Sequence, residues 1–413
     1  MSTTHPASLR VALVSEHASP LAELGGPDAG GQNVYVAQLA DHLSLRGHDV
    51  TVYTRRDGPG LPPEVLTPGG VKVVHVPAGP AARVPKDELL AFMPEFGSFL
   101  ARHWRAARPD VVHAHFWMSG TAALCGVRGL GVPVVQTYHA LGTVKKRHQG
   151  PEDTSPPQRL TIEAAIGRAC RRTLATCADE VEELVAMGVD RDRISVVPCG
   201  VDPRHFAPVG GPRDAAGPRR LLAVGRLVRR KGFDRAIRAL AEVPDAELLV
   251  AGGPEAGLLF AEPEAERLRK VAEEHGVADR VTLLGAVPHE RMPHLMSEAD
   301  LVLSLPDYEP FGIVPIEAMA CRTPVVATAV GGHLDTVVDG VTGALVAPDR
   351  GQDHRLAEVI RTLLDDPERL ARYGRAGRAR VLAHYSWERV ADGVARVYSS
   401  TVRATPSLSG AVR

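Results

Sequence analysis

The residues best suited to chemistry lie in one stretch, Glu309-Pro310-Phe311-Gly312-Ile313-Val314-Pro315-Ile316-Glu317. It reads as a loop leading into a helix that begins near Val314–Pro315, with Glu309 on the loop and Glu317 inside the helix. A carboxylate accepts two hydrogen bonds at once and so suits the vicinal hydroxyls of a ribose or another sugar. The amides of Phe311, Gly312, Ile313 and Val314 would sit at the positive end of the helix. Two solvated helix-end acids are the plainer reading, and the Pro-Phe-Gly between them speaks against it.

A second cluster, Gly225-Arg226-Leu227-Val228-Arg229-Arg230-Lys231-Gly232, directly follows an apolar strand. Arg226 and Lys231 could clamp a diphosphate there, because open α/β sheets bind ligands at the carboxyl ends of their strands. An isolated basic cluster would otherwise be solvated surface. A third element, Gly25-Gly26-Pro27-Asp28-Ala29-Gly30-Gly31-Gln32-Asn33, follows the first strand and opens a helix. Glycine-freed amides at a helix start suit an anionic oxygen, although the spacing is neither G-x-G-x-x-G nor a P-loop, and a plain turn remains open. His139, in Thr137-Tyr138-His139, falls just past the carboxyl end of another strand. His113 and His115 have ligand-like spacing but no carboxylate or thiolate near them in sequence, so they are expected on alternate faces of one strand rather than on a metal. Asp190-Arg191-Asp192 has a metal-binding look and reads as solvated turn chemistry. Lys145-Lys146-Arg147-His148 is a charge run of the kind usually solvated.

The elements that must position these residues alternate regularly. Short, almost continuously apolar runs recur at Leu9–Ser15, Asp49–Tyr53, Val71–Val76, Asp110–His115, Pro133–Thr137 and Ile194–Pro198. Helical spacing separates several of them, at Asn33–Arg46, Asp87–Ala107 and Pro157–Ala186. The scheme repeats with strands at Arg220–Val224, Ala246–Ala251, Val281–Leu284, Leu301–Leu305 and Pro324–Thr328. Uninterrupted apolar strands fit a parallel sheet covered on both faces, and the alternation predicts doubly wound α/β domains. A Pro-, Gly- and Ala-rich stretch, Val201–Pro218, reads as the linker. The expected domains are therefore 1–203 and 204–386, two Rossmann-like units with a cleft between them. A last helix over 387–401, with Ser386 placed to cap it, would pack back on the first domain, and 404–413 would form a flexible tail.

The chain has 413 residues, enough for two domains at roughly 100–200 residues each. Apolar residues make up 44% and charged residues 23%, which excludes wholesale disorder. Lys+Arg 48 against Asp+Glu 49 leaves a net charge of −1, which argues against a nucleic-acid binder. No apolar run is long enough to span a membrane and no signal peptide is evident, so a cytoplasmic protein is expected. The five cysteines (Cys125, Cys170, Cys177, Cys199, Cys321) are widely spread without a C-x-x-C pair and read as buried free thiols.

In their order and spacing, the Gly30-Gly31 loop, Gly225-Arg226 through Lys231-Gly232 and the Glu309/Glu317 pair resemble the retaining glycosyltransferases of family 4, group 1, which have the GT-B fold. The resemblance covers essentially the whole chain. Asp28–Ala40 (DAGGQNVYVAQLA) is most similar to the branch holding the actinobacterial D-inositol-3-phosphate glycosyltransferases and the sucrose-phosphate synthases. The resemblance implies donor contacts from Gly31, Arg226, Lys231, Glu309, Phe311, Gly312, Ile313, Val314 and Glu317, with Glu317 on the ribose. His139, Arg226, Lys231 and Glu309 would serve catalysis. It implies a nucleotide diphosphate sugar as donor, a UDP-sugar first, and no metal or other cofactor. Asn33, Lys86 and Arg159 match acceptor-side positions. Phe116 and Ala140 stand where that branch carries Tyr and Thr, and the loss of two hydroxyl donors puts inositol phosphate in doubt as the acceptor. An anionic or aminocyclitol acceptor stays open. The partners expected are a small-molecule donor and acceptor, with a homodimer left open. Three rivals remain: a non-catalytic nucleotide-sugar-binding protein, an NAD-dependent dehydrogenase, for which the G-x-G-x-x-G spacing is missing, and a phosphorylase, for which no pyridoxal lysine can be placed.

Overall fold

The computed structural model describes residues 8–22, 31–210, 217–349 and 351–405. The chain forms two compact units, one of residues up to Pro198 together with the chain from Trp387, the other Cys199–Ser386. The division falls a few residues before the 203/204 boundary read from the sequence. Val201 donates its amide to Tyr385 O at 2.8 Å and bridges to Ser386, while Phe206 is buried in the core of the second unit. The start of the Val201–Pro218 stretch is thus part of that unit; 211–216 lie outside the described residues.

The first unit holds an eight-stranded sheet: β1 (Arg10–Val14), β2 (Asp49–Arg55), β3 (Glu64–Leu66), β4 (Lys72–Val76), β5 (Val111–His115), β6 (Val134–Thr137), β7 (Arg172–Ala175) and β8 (Ile194–Val196). Their order is β3-β4-β2-β1-β5-β6-β7-β8, and only the edge strand β3 pairs antiparallel. In the second unit, β9 (Arg219–Val224), β10 (Ala246–Ala251), β11 (Val281–Gly285), β12 (Leu301–Ser304), β13 (Val325–Thr328) and β14 (Gly343–Val346) form a parallel sheet ordered β11-β10-β9-β12-β13-β14. Each sheet reverses direction at one place, beside β1 in the first and beside β9 in the second. There the loops leaving neighbouring strands diverge and open a crevice suited to ligands.

The apolar runs are explained by burial on both faces. Leu221, Ala223, Leu301 and Leu303 face one core of the second unit, while the intervening Leu222 and Val302 face another. Successive side chains alternate across a sheet, so a strand covered on both sides must be apolar throughout. The helix Trp387–Arg403 buries Trp387, Val390, Ala391, Val394 and Tyr398, a stripe at helical spacing. It belongs to the first unit, where Arg46 Nε meets Asp392 Oδ1 at 2.7 Å and Trp387 packs edge-on against Tyr35.

Three sequence readings need correction. Pro157–Ala186 is not one helical stretch: the helix Arg159–Ala169 stops at an extended Cys170, β7 follows, and a second helix runs over Ala178–Ala186. Burial of Thr173 and Leu174 in the sheet overrides a local pattern that a four-residue strand is too short to break. Asp87–Ala107 splits into a 3₁₀ segment, Lys86–Phe92, and the helix Met93–Ala106. Pro94 lacks an N–H and is tolerated only in a first turn, so the α-helix restarts there. The short strands β3 and β14 were missed. Among the described residues, no helix is long and apolar enough to cross a membrane. The last eight residues of the expected tail, 406–413, lie outside the described residues.

Leu303, 2% exposed in central β12, lies in one core of the second unit, six residues before Glu309. Leu303→Ala is expected to lower stability by about 2–5 kcal/mol. Urea unfolding reads this directly, and an unchanged midpoint would count against the packing described.

Candidate functional site

In the second unit the site begins where β9 ends. A 3₁₀ turn, Arg229–Lys231, leads to Gly232 at φ 69° and then to the helix Phe233–Leu240. A Cβ on Gly232 would run into the carbonyl oxygen of Leu305, just past β12, so only glycine lets the two loops lie this close. Asp307 N donates to Arg230 O at 2.8 Å, and the Arg230 guanidinium lies 5.0 Å from the centre of the Tyr308 ring. The consequence is an ion pair across 78 residues, Lys231 Nζ to Glu309 Oε2 at 2.6 Å, with both side chains largely buried. Arg226 stands exposed in the same loop, five residues before Lys231.

Glu309 is held from behind as well. Its carbonyl accepts from Gly332 N at 2.8 Å, and a Cβ on Gly331 (φ 47°) would strike that same carbonyl. His333 follows, bonded through Nδ1 to Thr328 O at 2.9 Å and through Nε2 to Ser304 Oγ at 3.2 Å. Burial alone would raise the pKa of Glu309. The Lys231 ammonium foremost, then His333 and Arg230, overcome it and bring the carboxyl down to about 2. The pair therefore contributes stability that is present above the usual value of 4.5 and is lost as pH falls towards about 2. Gly331-Gly332-His333 was overlooked in the sequence, although a Gly-Gly pair just past a strand was the available signal.

Phe311 and Gly312 precede the helix Ile313–Ala320, which starts one residue earlier than expected. The amides of Ile313 and Val314 are its first two N–H groups; Pro315 contributes none. Arg378 donates to the carbonyl of Ala320 at the far end and anchors the helix. Glu317 is half-buried in this helix, and burial pushes its carboxyl up to about 8. One acid of the pair is thus ionised and the other holds its proton at neutral pH, because only Glu309 has a cation beside it.

The other predicted residues belong to the first unit. Gly31 opens the helix Gly31–Ser44, and Gly25–Gly30 lie outside the described residues. Asn33 is buried and donates through Nδ2 to Ser19 O at 3.0 Å. At the sheet's reversal point the chain leaves β1 through Ser15, Glu16 and His17 and leaves β5 through Phe116. His139 follows two residues after β6. Phe116 (φ 80°) and His139 (φ 62°) both adopt left-handed backbone, strain that persists only where surrounding structure imposes it. His139 Nε2 meets His115 Nδ1 at 3.0 Å, and burial foremost, with His115, His17 and Lys86, holds its pKa well below the usual value. It works as a neutral hydrogen-bonding group.

His113 and His115 do not occupy alternate faces of β5. Their rings lie 4.1 Å apart, since residues i and i+2 of a strand share a face. His113 is bonded to Tyr398 Oη at 2.7 Å and Thr137 Oγ1 at 2.8 Å. Among the described residues, no group of three metal-ligating side chains is arranged to hold an ion.

Lys86 Nζ sits 3.9 Å above the ring of Phe116, and the Arg159 guanidinium lies 5.2 Å from it. Arg159 donates to Glu163 Oε1 at 2.7 Å, Ser155 Oγ at 3.1 Å and Ala140 O at 2.6 Å. Burial brings Lys86 down to about 8 against the opposing pull of Glu16. Glu16, His17 and Glu163 escaped the sequence reading, although three polar residues ending an apolar strand marked the first two. Lys145 and Arg147 are not merely solvated: they pair with Asp153 at 2.8 Å and Glu183 at 2.7 Å. Asp190 caps the Arg191–Arg193 turn through Asp192 N at 3.0 Å, as a turn acid does. All five cysteines are free thiols, four of them buried and Cys125 half-buried.

Residues 212–380 match the family described as glycosyl transferases group 1, and residues 29–205 match glycosyltransferase family 4. The chain is 40% identical to D-inositol 3-phosphate glycosyltransferase 1 of Catenulispora acidiphila, over 95% of this chain and 96% of that protein. It is 38% identical to the D-inositol 3-phosphate glycosyltransferase of Mycolicibacterium smegmatis, over 94% and 91%. The solved sucrose-phosphate synthase from Thermosynechococcus elongatus superposes with a TM-score of 0.86 at 32% identity, covering 96% of this chain and all of that one. The two α/β units thus match GT-B structures.

Between pH 4.5 and about 8 the folded protein keeps a proton on Glu317 that the unfolded chain has released, so this group makes stability fall as pH rises through that window. Glu317→Gln removes the ionisation. Thermal melts from about pH 5 to about pH 8 should show the variant gaining stability relative to the parent as pH rises. A constant difference across the window would contradict the protonated state.

Proposed function

The chain belongs to the group 1, family 4 glycosyltransferases, and from that premise we propose that it moves a hexosyl or N-acetylhexosaminyl group from a nucleotide diphosphate sugar, a UDP-sugar first, to a small hydroxylated acceptor. The observation that carries the proposal is the Lys231–Glu309 pair beside the amino end of the helix bearing Glu317. A diphosphate needs fixed cations, a ribose needs a hydroxyl-binding carboxyl group and a donor sugar needs a second one. One loop cluster supplies all three.

In this reading Arg226 and Lys231 neutralise the charge that collects on the departing diphosphate, and the amides from Gly312 to Val314 add to that field. Glu317 binds the ribose hydroxyls. Glu309, kept ionised by Lys231 beside it, binds hydroxyls of the donor sugar. His139, neutral, offers a hydrogen bond to a sugar hydroxyl and no charge. The acceptor oxygen bonds to the anomeric carbon on the face from which the phosphate oxygen leaves, so configuration is retained. The acceptor's proton passes to that phosphate oxygen, and two protein cations take the place a metal fills in other transferases. Asn33, Lys86 and Arg159 form the acceptor side.

Calorimetric titration with UDP, ADP, GDP and NAD tests the donor class. Selective binding of UDP, weakened in Glu317→Ala, is expected; binding of NAD alone would overturn the reading. Lys231→Ala and Arg226→Ala should each lower turnover by about 10²–10³-fold, and a metal chelator should leave turnover unchanged.

A further inference from the structure

The backbone of His139 is anchored on both sides. Tyr138 Oη donates to Glu163 O at 2.7 Å, and the carbonyl of Ala140 accepts from Arg159 Nη2 at 2.6 Å. Between these anchors His139 stands at φ 62°, with its ring edge-on to Tyr35 at 5.1 Å between centroids. The ring of His115 lies 5.2 Å away and close to parallel, and its Nδ1 meets His139 Nε2 at 3.0 Å. His115 cannot move to suit its neighbour. It is the last residue of β5, fully buried, and its carbonyl accepts from Gln32 Nε2 at 3.3 Å.

Burial keeps both rings neutral, and brings His115 down to about 3. A neutral imidazole has one N–H and one lone pair, so one proton lies between the two nitrogens and two arrangements are open. If His139 Nε2 is the donor, the proton of His115 sits on its Nε2. That atom is buried and has no hydrogen-bond partner among the described residues. His113, whose ring is 4.1 Å off, offers it nothing, because both its nitrogens are engaged by Tyr398 and Thr137. A buried N–H without an acceptor is among the rarest features of folded proteins. If His115 Nδ1 is the donor, its Nε2 is a bare lone pair, and an unsatisfied acceptor is the milder loss.

We infer that His115 is a positioning residue: its Nδ1–H bonds to His139 Nε2 and fixes His139 in the tautomer that carries its proton on Nδ1. The inference deepens the transferase reading and rests on it for its consequence. With Nε2 taken by His115, His139 meets a substrate oxygen as a hydrogen-bond donor and has no lone pair with which to accept the acceptor's proton. That proton is left to the departing phosphate.

The test is NMR of the ring nitrogens in the full chain carrying ¹⁵N-labelled histidine, at about pH 7.5, where protonated and bare nitrogens give well-separated shifts. Loss of signals in His139→Gln assigns that ring. The parent should show His139 protonated on Nδ1 and bare on Nε2, the reverse of the form free histidine favours. His115→Phe keeps the bulk and removes the donor, and should move the His139 Nε2 signal towards the protonated form. His115→Asn, whose amide nitrogen stands near the place of Nδ1, should hold it where it is in the parent. A parent spectrum with His139 protonated on Nε2, or His139 shifts unchanged in His115→Phe, would overturn the inference. The parent spectrum decides alone should the variants fail to fold. UDP titrated into the same sample separates the two readings: no UDP binding marks failure of the transferase reading, whereas UDP binding with His139 protonated on Nε2 marks failure of this one.

Discussion

The site in the second unit depends on one contact, the 2.6 Å ion pair of Lys231 and Glu309. Each residue alone would be awkward where it stands, because a largely buried ammonium or carboxylate loses hydration that nothing restores. Together they hold two loops in register and keep Glu309 ionised against the effect of burial. In the proposed reading a diphosphate would share Lys231 with Glu309, whose carboxylate would then face the donor sugar. Glu317, with no such cation, takes the opposite protonation state eight residues further on.

That contact is possible because the backbone allows it. Gly232 lets the turn after β9 approach Leu305, and Gly331 lets the loop after β13 close on the carbonyl of Glu309. The sheet order places β9 beside β12, so residues far apart in sequence leave the sheet side by side. The first unit repeats the arrangement around β1, β5 and β6 with different occupants: the bonded pair His115 and His139, a strained phenylalanine, and Arg159 held by the buried Glu163.

Most of the fold was legible because doubly covered strands must be apolar on both faces, and such runs stand out. The failures were short. β7, β3 and β14 are three or four residues long, too short to interrupt a pattern, and the break at Pro94 reflects a missing N–H that hydrophobic spacing cannot register. In the site, the carboxylates at 309 and 317 and the cations at 226 and 231 were visible as residue types at a strand–helix junction. Their pairing was not, since nothing local links Lys231 to a residue 78 positions away. Glu16 was missed because an acid ending a strand looks solvated, and only Ser119, 103 residues on, shows that it is fixed. His113 and His115 share a face of β5 because side chains two residues apart on a strand point the same way.

If Lys231 is shared between Glu309 and a diphosphate, removing the charge of Glu309 must favour the diphosphate. The direct measurement is UDP affinity of Glu309→Gln against the parent, by calorimetry, with turnover measured alongside. The account predicts UDP binding about tenfold tighter together with slower turnover, because Lys231 is freed while the sugar loses its carboxylate. UDP affinity unchanged or weaker in Glu309→Gln would contradict it.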